Sequence, residues 1–106
     1  MNQEKGKEQD KRTKALTERL REMKPQLFEK YKARRIQLFG SVAREEQTED
    51  SDIDILVDFE EDADYFDLAG MAIFLEEQLR RKVDVISKQG LRNEIRESVL
   101  KEAIPI

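Results

Sequence analysis

The stretch Leu38–Phe59, LFGSVAREEQTEDSDIDILVDF, decides how this chain folds. Its second half, from Asp52 to Phe59, alternates with the period of a β-strand. Ile53, Ile55, Val57 and Phe59 fall on one face, and Asp52, Asp54, Leu56 and Asp58 on the other. Its first half closes an earlier strand, Arg35 to Phe39, with Ile36 and Leu38 pointing the same way. That strand stops at Gly40-Ser41, because glycine tolerates a tight turn and serine caps the start of a helix. A short helical turn through Val42 and Ala43, then a polar loop from Glu45 to Ser51, are expected between the two strands.

On the N-terminal side, Leu16, Leu20, Met23, Leu27 and Tyr31 recur at helical spacing, and Phe28 widens that apolar face. Pro25 lacks an amide donor and disfavours helical angles at Lys24. It therefore implies either one kinked helix or two, with Pro25 opening the second. Residues 1–12 are expected to form a flexible polar tail. On the C-terminal side, Glu60 to Asp64 makes an acidic loop. Between Tyr65 and Arg80, Phe66, Ala69, Ile73 and Leu79, with Leu68, Ala72 and Leu75 beside them, form a broad helical stripe. Lys82 to Ile86 is a short strand in which Val83 and Val85 oppose Asp84. Leu91, Ile95, Val99 and Ala103 mark a last helix, which Pro105 ends. The order of elements predicts an α/β (α+β) fold, a small mixed sheet of about three to four strands flanked by helices, forming a single domain over residues 13–106.

Composition narrows the chemistry. Among 106 residues there is no cysteine and no histidine. This excludes a disulfide frame, a zinc knuckle, a thiolate nucleophile and any imidazole base or ligand. Catalysis must then use carboxylates, hydroxyls, lysine, arginine or an oxygen-bound metal. Charge is segregated: residues 1–35 carry twelve Lys/Arg against six Asp/Glu, whereas residues 36–106 carry eight against eighteen. From Glu45 to Leu79 every charged residue is acidic. Such a block repels phosphate unless cations intervene, so direct nucleic-acid binding is not expected and a cation site is. No apolar run is long enough to span a bilayer and the polar start is unlike a signal peptide, so a cytoplasmic, membrane-free protein is expected.

Asp52 and Asp54 project from one strand face about 6 to 7 Å apart. On a bare strand such a pair is often only its solvated side. Here Gly40-Ser41 closes the preceding strand, ten residues lie between Ser41 and Asp52, and Asp84 stands in the next strand. If the three strands are neighbours, the aspartates form one cluster opposite a turn whose amides and hydroxyl suit phosphate. That arrangement fits metal-dependent nucleotide transfer.

The run from Leu38 to Phe59 resembles the G-S-x10-D-x-D signature of minimal nucleotidyltransferases in the DNA polymerase β-like superfamily, and the resemblance extends through VDVIS and EAIPI. It implies that Gly40 and Ser41 hold the triphosphate of ATP, and that Asp52 and Asp54 bind two Mg²⁺ ions, with Mn²⁺ an alternative. It also implies that Asp84 completes the catalytic metal site and helps activate the attacking hydroxyl. Arg44 serves either the phosphates or an ion pair with a local acid. Small prokaryotic members resemble antitoxins that transfer AMP to a tyrosine of a HEPN-domain RNase toxin, which implies a hetero-oligomer with that toxin. Glu45 stands where the family commonly has glycine. A second possibility is therefore a binding antitoxin that neutralises its partner by occlusion, and a third is transfer to a small molecule such as an aminoglycoside. The short chain leaves little room for the extra substrate domain that the third requires.

Overall fold

The computed structural model describes residues 11–40, 43 and 52–106. They form α1 (Lys11–Tyr31), β1 (Ala33–Phe39), β2 (Ile53–Phe59), α2 (Tyr65–Leu79) and β3 (Val83–Ser87). A 3-10 turn at Lys88–Gly90, α3 (Asn93–Glu102) and β4 (Ile104–Pro105) complete the chain. The sheet order is β3-β2-β1-β4, with β1 antiparallel to β2 and to β4, and β2 parallel to β3. A parallel pair needs a crossover, and α2 supplies it.

One sheet face makes the core. Ile36, Leu38, Ile53, Ile55, Val57, Val83 and Val85 pack there against Leu20, Met23 and Leu27 of α1 and Met71 and Leu75 of α2. Each fully buried aliphatic side chain contributes on the order of 1.5–3 kcal/mol. The two helices also touch each other. The Tyr31 and Phe74 rings lie 5.8 Å apart, and a Cβ on Gly70 would come within 3.1 Å of Tyr31 Cε1, so glycine permits the approach.

Pro25 lies inside a single helix rather than between two. It gives up one i to i−4 bond on the exposed side, while Met23 and Leu27 on the buried side keep the helix seated. Lys11 and Arg12 already belong to α1, and residues 1–10 lie outside the described residues. In α2 the buried side chains are Met71 and Leu75, with Leu68, Ala72 and Leu79 packed beside them, whereas Phe66 and Ile73 of the expected stripe are exposed. Pro105 does more than end a helix. It lies in β4, opposite Gln37. Among the described residues no helix is long and apolar enough to cross a membrane.

Candidate active site

The second sheet face carries the acidic residues. Because side chains alternate along a strand, Asp54 and Asp58 face away from the core that Ile53, Ile55 and Val57 build. Leu56, between them in the same row, is also buried at 1% exposure, so this face is sealed at its centre and polar at its ends.

Register brings the distant aspartate in. Asp54 pairs with Asp84 across the parallel β2 and β3 strands, and with Phe39 across the antiparallel β1. Strands lie about 4.7–4.9 Å apart, so the Asp54 and Asp84 side chains leave the sheet as neighbours. Asp52 precedes β2 by one residue and is exposed, as is Asp84, while Asp54 is half-buried. The amide of Ile53 donates to the Lys82 carbonyl at 2.9 Å, which pins the start of β2 to the start of β3.

Two further contacts set the geometry. Gly40, directly after β1, has φ +73°, in the left-handed region that favours glycine. A Cβ there would meet the Asp54 side chain, coming within 3.0 Å of its Cγ. Glu76, on the last turn of α2, accepts a hydrogen bond from the Val83 amide at 3.1 Å and so fixes the residue immediately before Asp84. Since β3 is an edge strand, that amide would otherwise face the open side of the sheet. Nothing in the sequence singles out Glu76, which is one acid among many until the crossover returns β3 beneath it.

Of the residues expected from sequence, Gly40, Asp54 and Asp84 are therefore together, and Asp52 stands at the same end of the sheet. Ser41 and Arg44 lie outside the described residues. The donor set consists of carboxylate oxygens, which suits a hard divalent cation. Two carboxylates in register repel, and a cation held there would offset that repulsion. Among the described residues no three carboxylates are already gathered into a ready ion cage. Asp54 and Asp84 form the fixed pair, and Asp52 is an exposed side chain free of strand pairing.

Comparison with known proteins agrees with this architecture. The nucleotidyltransferase domain family matches residues 4–106. Protein adenylyltransferase MntA of Thermococcus cleftensis is 41% identical over 81 residues, spanning 76% of this chain and 82% of that protein. The Methanocaldococcus jannaschii relative MJ0126, which also carries a protein adenylyltransferase name, is 46% identical over 78 residues, spanning 74% and 80%. Among solved structures, one described as a minimal nucleotidyltransferase superposes with a TM-score of 0.77 at 45% identity, covering 88% of this chain and 94% of its own. A toxin-antitoxin complex with AMP-PNP gives a TM-score of 0.64 at 26% identity, covering 76% and 66%. A match over nearly the whole sequence, on a fold that sets paired aspartates beside a glycine turn, leaves one conclusion: the chain belongs to the nucleotidyltransferase domain family, as one of its minimal members, and is a nucleotidyltransferase.

Proposed function

We propose that this enzyme is an antitoxin that transfers AMP from ATP to a tyrosine of a cognate HEPN-domain RNase toxin and so neutralises it. The observation that carries this reading is the register pairing of Asp54 with Asp84 beside the Gly40 turn. The name of the Thermococcus relative and the AMP-PNP found in a related toxin-antitoxin complex support it.

Asp52, Asp54 and Asp84 would hold Mg²⁺, which supplies charge neutralisation at the phosphates and at the attacking and leaving oxygens. Gly40 and Ser41 would receive the triphosphate on backbone amides and a hydroxyl, with Arg44 pairing a phosphate oxygen. The phenol oxygen attacks the α-phosphorus, the bond to the bridging α-β oxygen breaks, and pyrophosphate leaves. Asp84 would accept the phenol proton. Gly40 keeps the Asp54 carboxylate aimed, and buried Leu56 excludes water from the sheet beneath it.

The test is transfer of labelled AMP from ATP, with Mg²⁺, to the protein encoded beside this gene. Label should appear on a tyrosine with the parent chain and vanish with Asp52→Ala plus Asp54→Ala. No transfer by the parent would falsify the reading. A second reading, neutralisation by occlusion alone, is motivated by Glu45, which stands where the family commonly has glycine, and by Glu46 beside it. It requires the same double variant to go on protecting cells from the partner, and loss of protection eliminates it.

A further inference from the structure

The most apolar of the described helices is covered on one side only. α2, YFDLAGMAIFLEEQL, turns Met71 and Leu75 into the core, yet Tyr65 is 74% exposed, Phe66 81% and Ile73 58%. Phe66, Ala69 and Ile73 recur at spacings of three and four, so they form one stripe along the outer side of the helix, with Tyr65 beside its start. A helix apolar around its circumference normally lies between two layers, and an exposed apolar stripe of this kind, here Phe66 and Ile73 with half-buried Ala69 between them, marks an interaction surface.

The border of the stripe indicates the chemistry of its cover. Glu60, Glu61, Asp62 and Asp64 precede the helix, all four exposed around half-buried Ala63. Among the described residues the ion pair there is Lys32 Nζ to Asp62 Oδ2, at 3.3 Å. One ammonium against four carboxylates leaves the border strongly negative. A cavity of about 480 Å³ opens between this loop and the first turn of α2, with Phe59, Ala63 and Leu68 on its floor and Tyr65 at its mouth. An apolar floor beneath an acidic lip accepts the stem and head of a lysine or arginine together.

We propose that the outer face of α2, with the acidic 60–64 loop, is the docking surface for a protein partner that presents apolar side chains flanked by lysines and arginines. It rests on the proposed function in that this partner is the protein acceptor of AMP. A second copy of this chain fits less well. A two-fold contact through this face would bring two copies of the same acidic border, Glu60, Glu61, Asp62 and Asp64, into one interface. Docking here also leaves the reaction site open, because α2 covers the core face of the sheet and Asp54 and Asp84 occupy the other.

The test measures binding separately from chemistry. The partner encoded beside this gene is titrated with the Asp52→Ala plus Asp54→Ala chain, which cannot transfer, with and without Phe66→Glu plus Ile73→Glu. Dissociation constants should rise about tenfold or more, as for loss of apolar anchors. Glu60→Lys plus Glu61→Lys should weaken binding and flatten its salt dependence. In the otherwise unchanged enzyme, Phe66→Glu plus Ile73→Glu should raise KM for the partner and leave kcat and KM for ATP as they were. Unaltered melting temperatures certify the fold, since both side chains are already in water. Parent-like affinity in both sets of variants overturns the proposal. So does sedimentation showing that the free chain is a dimer dissociated by Phe66→Glu. Absence of AMP transfer alongside binding that these variants abolish leaves the surface standing and removes the enzymatic reading; normal transfer that ignores them does the reverse.

Discussion

The backbone of Gly40 lies against the carboxylate of Asp54, and a Cβ on Gly40 would collide with it. The left-handed φ of +73° excludes other residues a second time, because an L side chain there costs about 1–2 kcal/mol. Gly40→Ala should therefore cost about that much stability and turn Asp54 out of line. Nucleotidyl transfer should fall by about 100-fold or more, as misplacement by 1 Å can cost that much. Transfer rates together with thermal melts check this: an active Gly40→Ala enzyme contradicts the role given to the contact.

Asp54 and Asp84 are register partners, and like charges directly opposite destabilise a sheet by roughly 0.2–1 kcal/mol. Asp84→Asn should accordingly stabilise the metal-free protein by a similar amount while abolishing transfer. Mg²⁺ should raise the melting temperature of the parent and leave that of Asp54→Asn plus Asp84→Asn unmoved. Paired melts with Mg²⁺ and with EDTA supply the comparison, and an equal Mg²⁺ response in the variant rules out the pair as ligands.

Glu76 acts on Asp84 through the backbone, by accepting the Val83 amide at 3.1 Å. Glu76→Ala removes that acceptor from an edge-strand amide and should cost on the order of 1 kcal/mol. Glu76→Gln keeps an acceptor and should recover most of the loss. The positioning role predicts that the half-saturating Mg²⁺ concentration for transfer rises in Glu76→Ala and returns in Glu76→Gln, a pattern that a stability defect alone does not produce.

Arg80 ends α2 in the left-handed conformation, at φ 57°, with its amide donating to the Glu76 carbonyl at 2.8 Å. Glycine takes this helix-ending position without the Cβ penalty. Arg80→Gly should stabilise the chain by about 1 kcal/mol, seen as a rise of roughly 4–8 °C in melting temperature. A fall in melting temperature shows that the arginine side chain contributes more than its backbone costs.

What could be read from sequence was local. The β2 strand and its acidic face declare themselves, because alternation is written into eight consecutive residues. Asp84 was legible as an aspartate in a strand, but its pairing with Asp54 depends on register across a crossover of more than twenty residues, which no window of sequence contains. The α2 stripe fails for the opposite reason. With apolar residues on nearly every side, helical spacing does not say which side meets the sheet, and Met71 rather than Phe66 is buried. Pro25 is compatible with one helix or two, and packing of Met23 and Leu27 decides for one. β4 is two residues long and carries a proline, so it offers no periodicity at all.

That short strand bears on how the protein can associate. The Ile106 amide donates inward to the Ile36 carbonyl at 3.0 Å, and successive amides of a strand alternate in direction, so the Pro105 nitrogen is turned toward the free edge. It has no hydrogen to offer there. The sheet is thus closed to growth on that side: an incoming strand finds a missing donor at the position where pairing would begin. Association at this edge is thereby steered to side-chain surfaces and away from strand addition, the route by which open edges recruit unwanted neighbours.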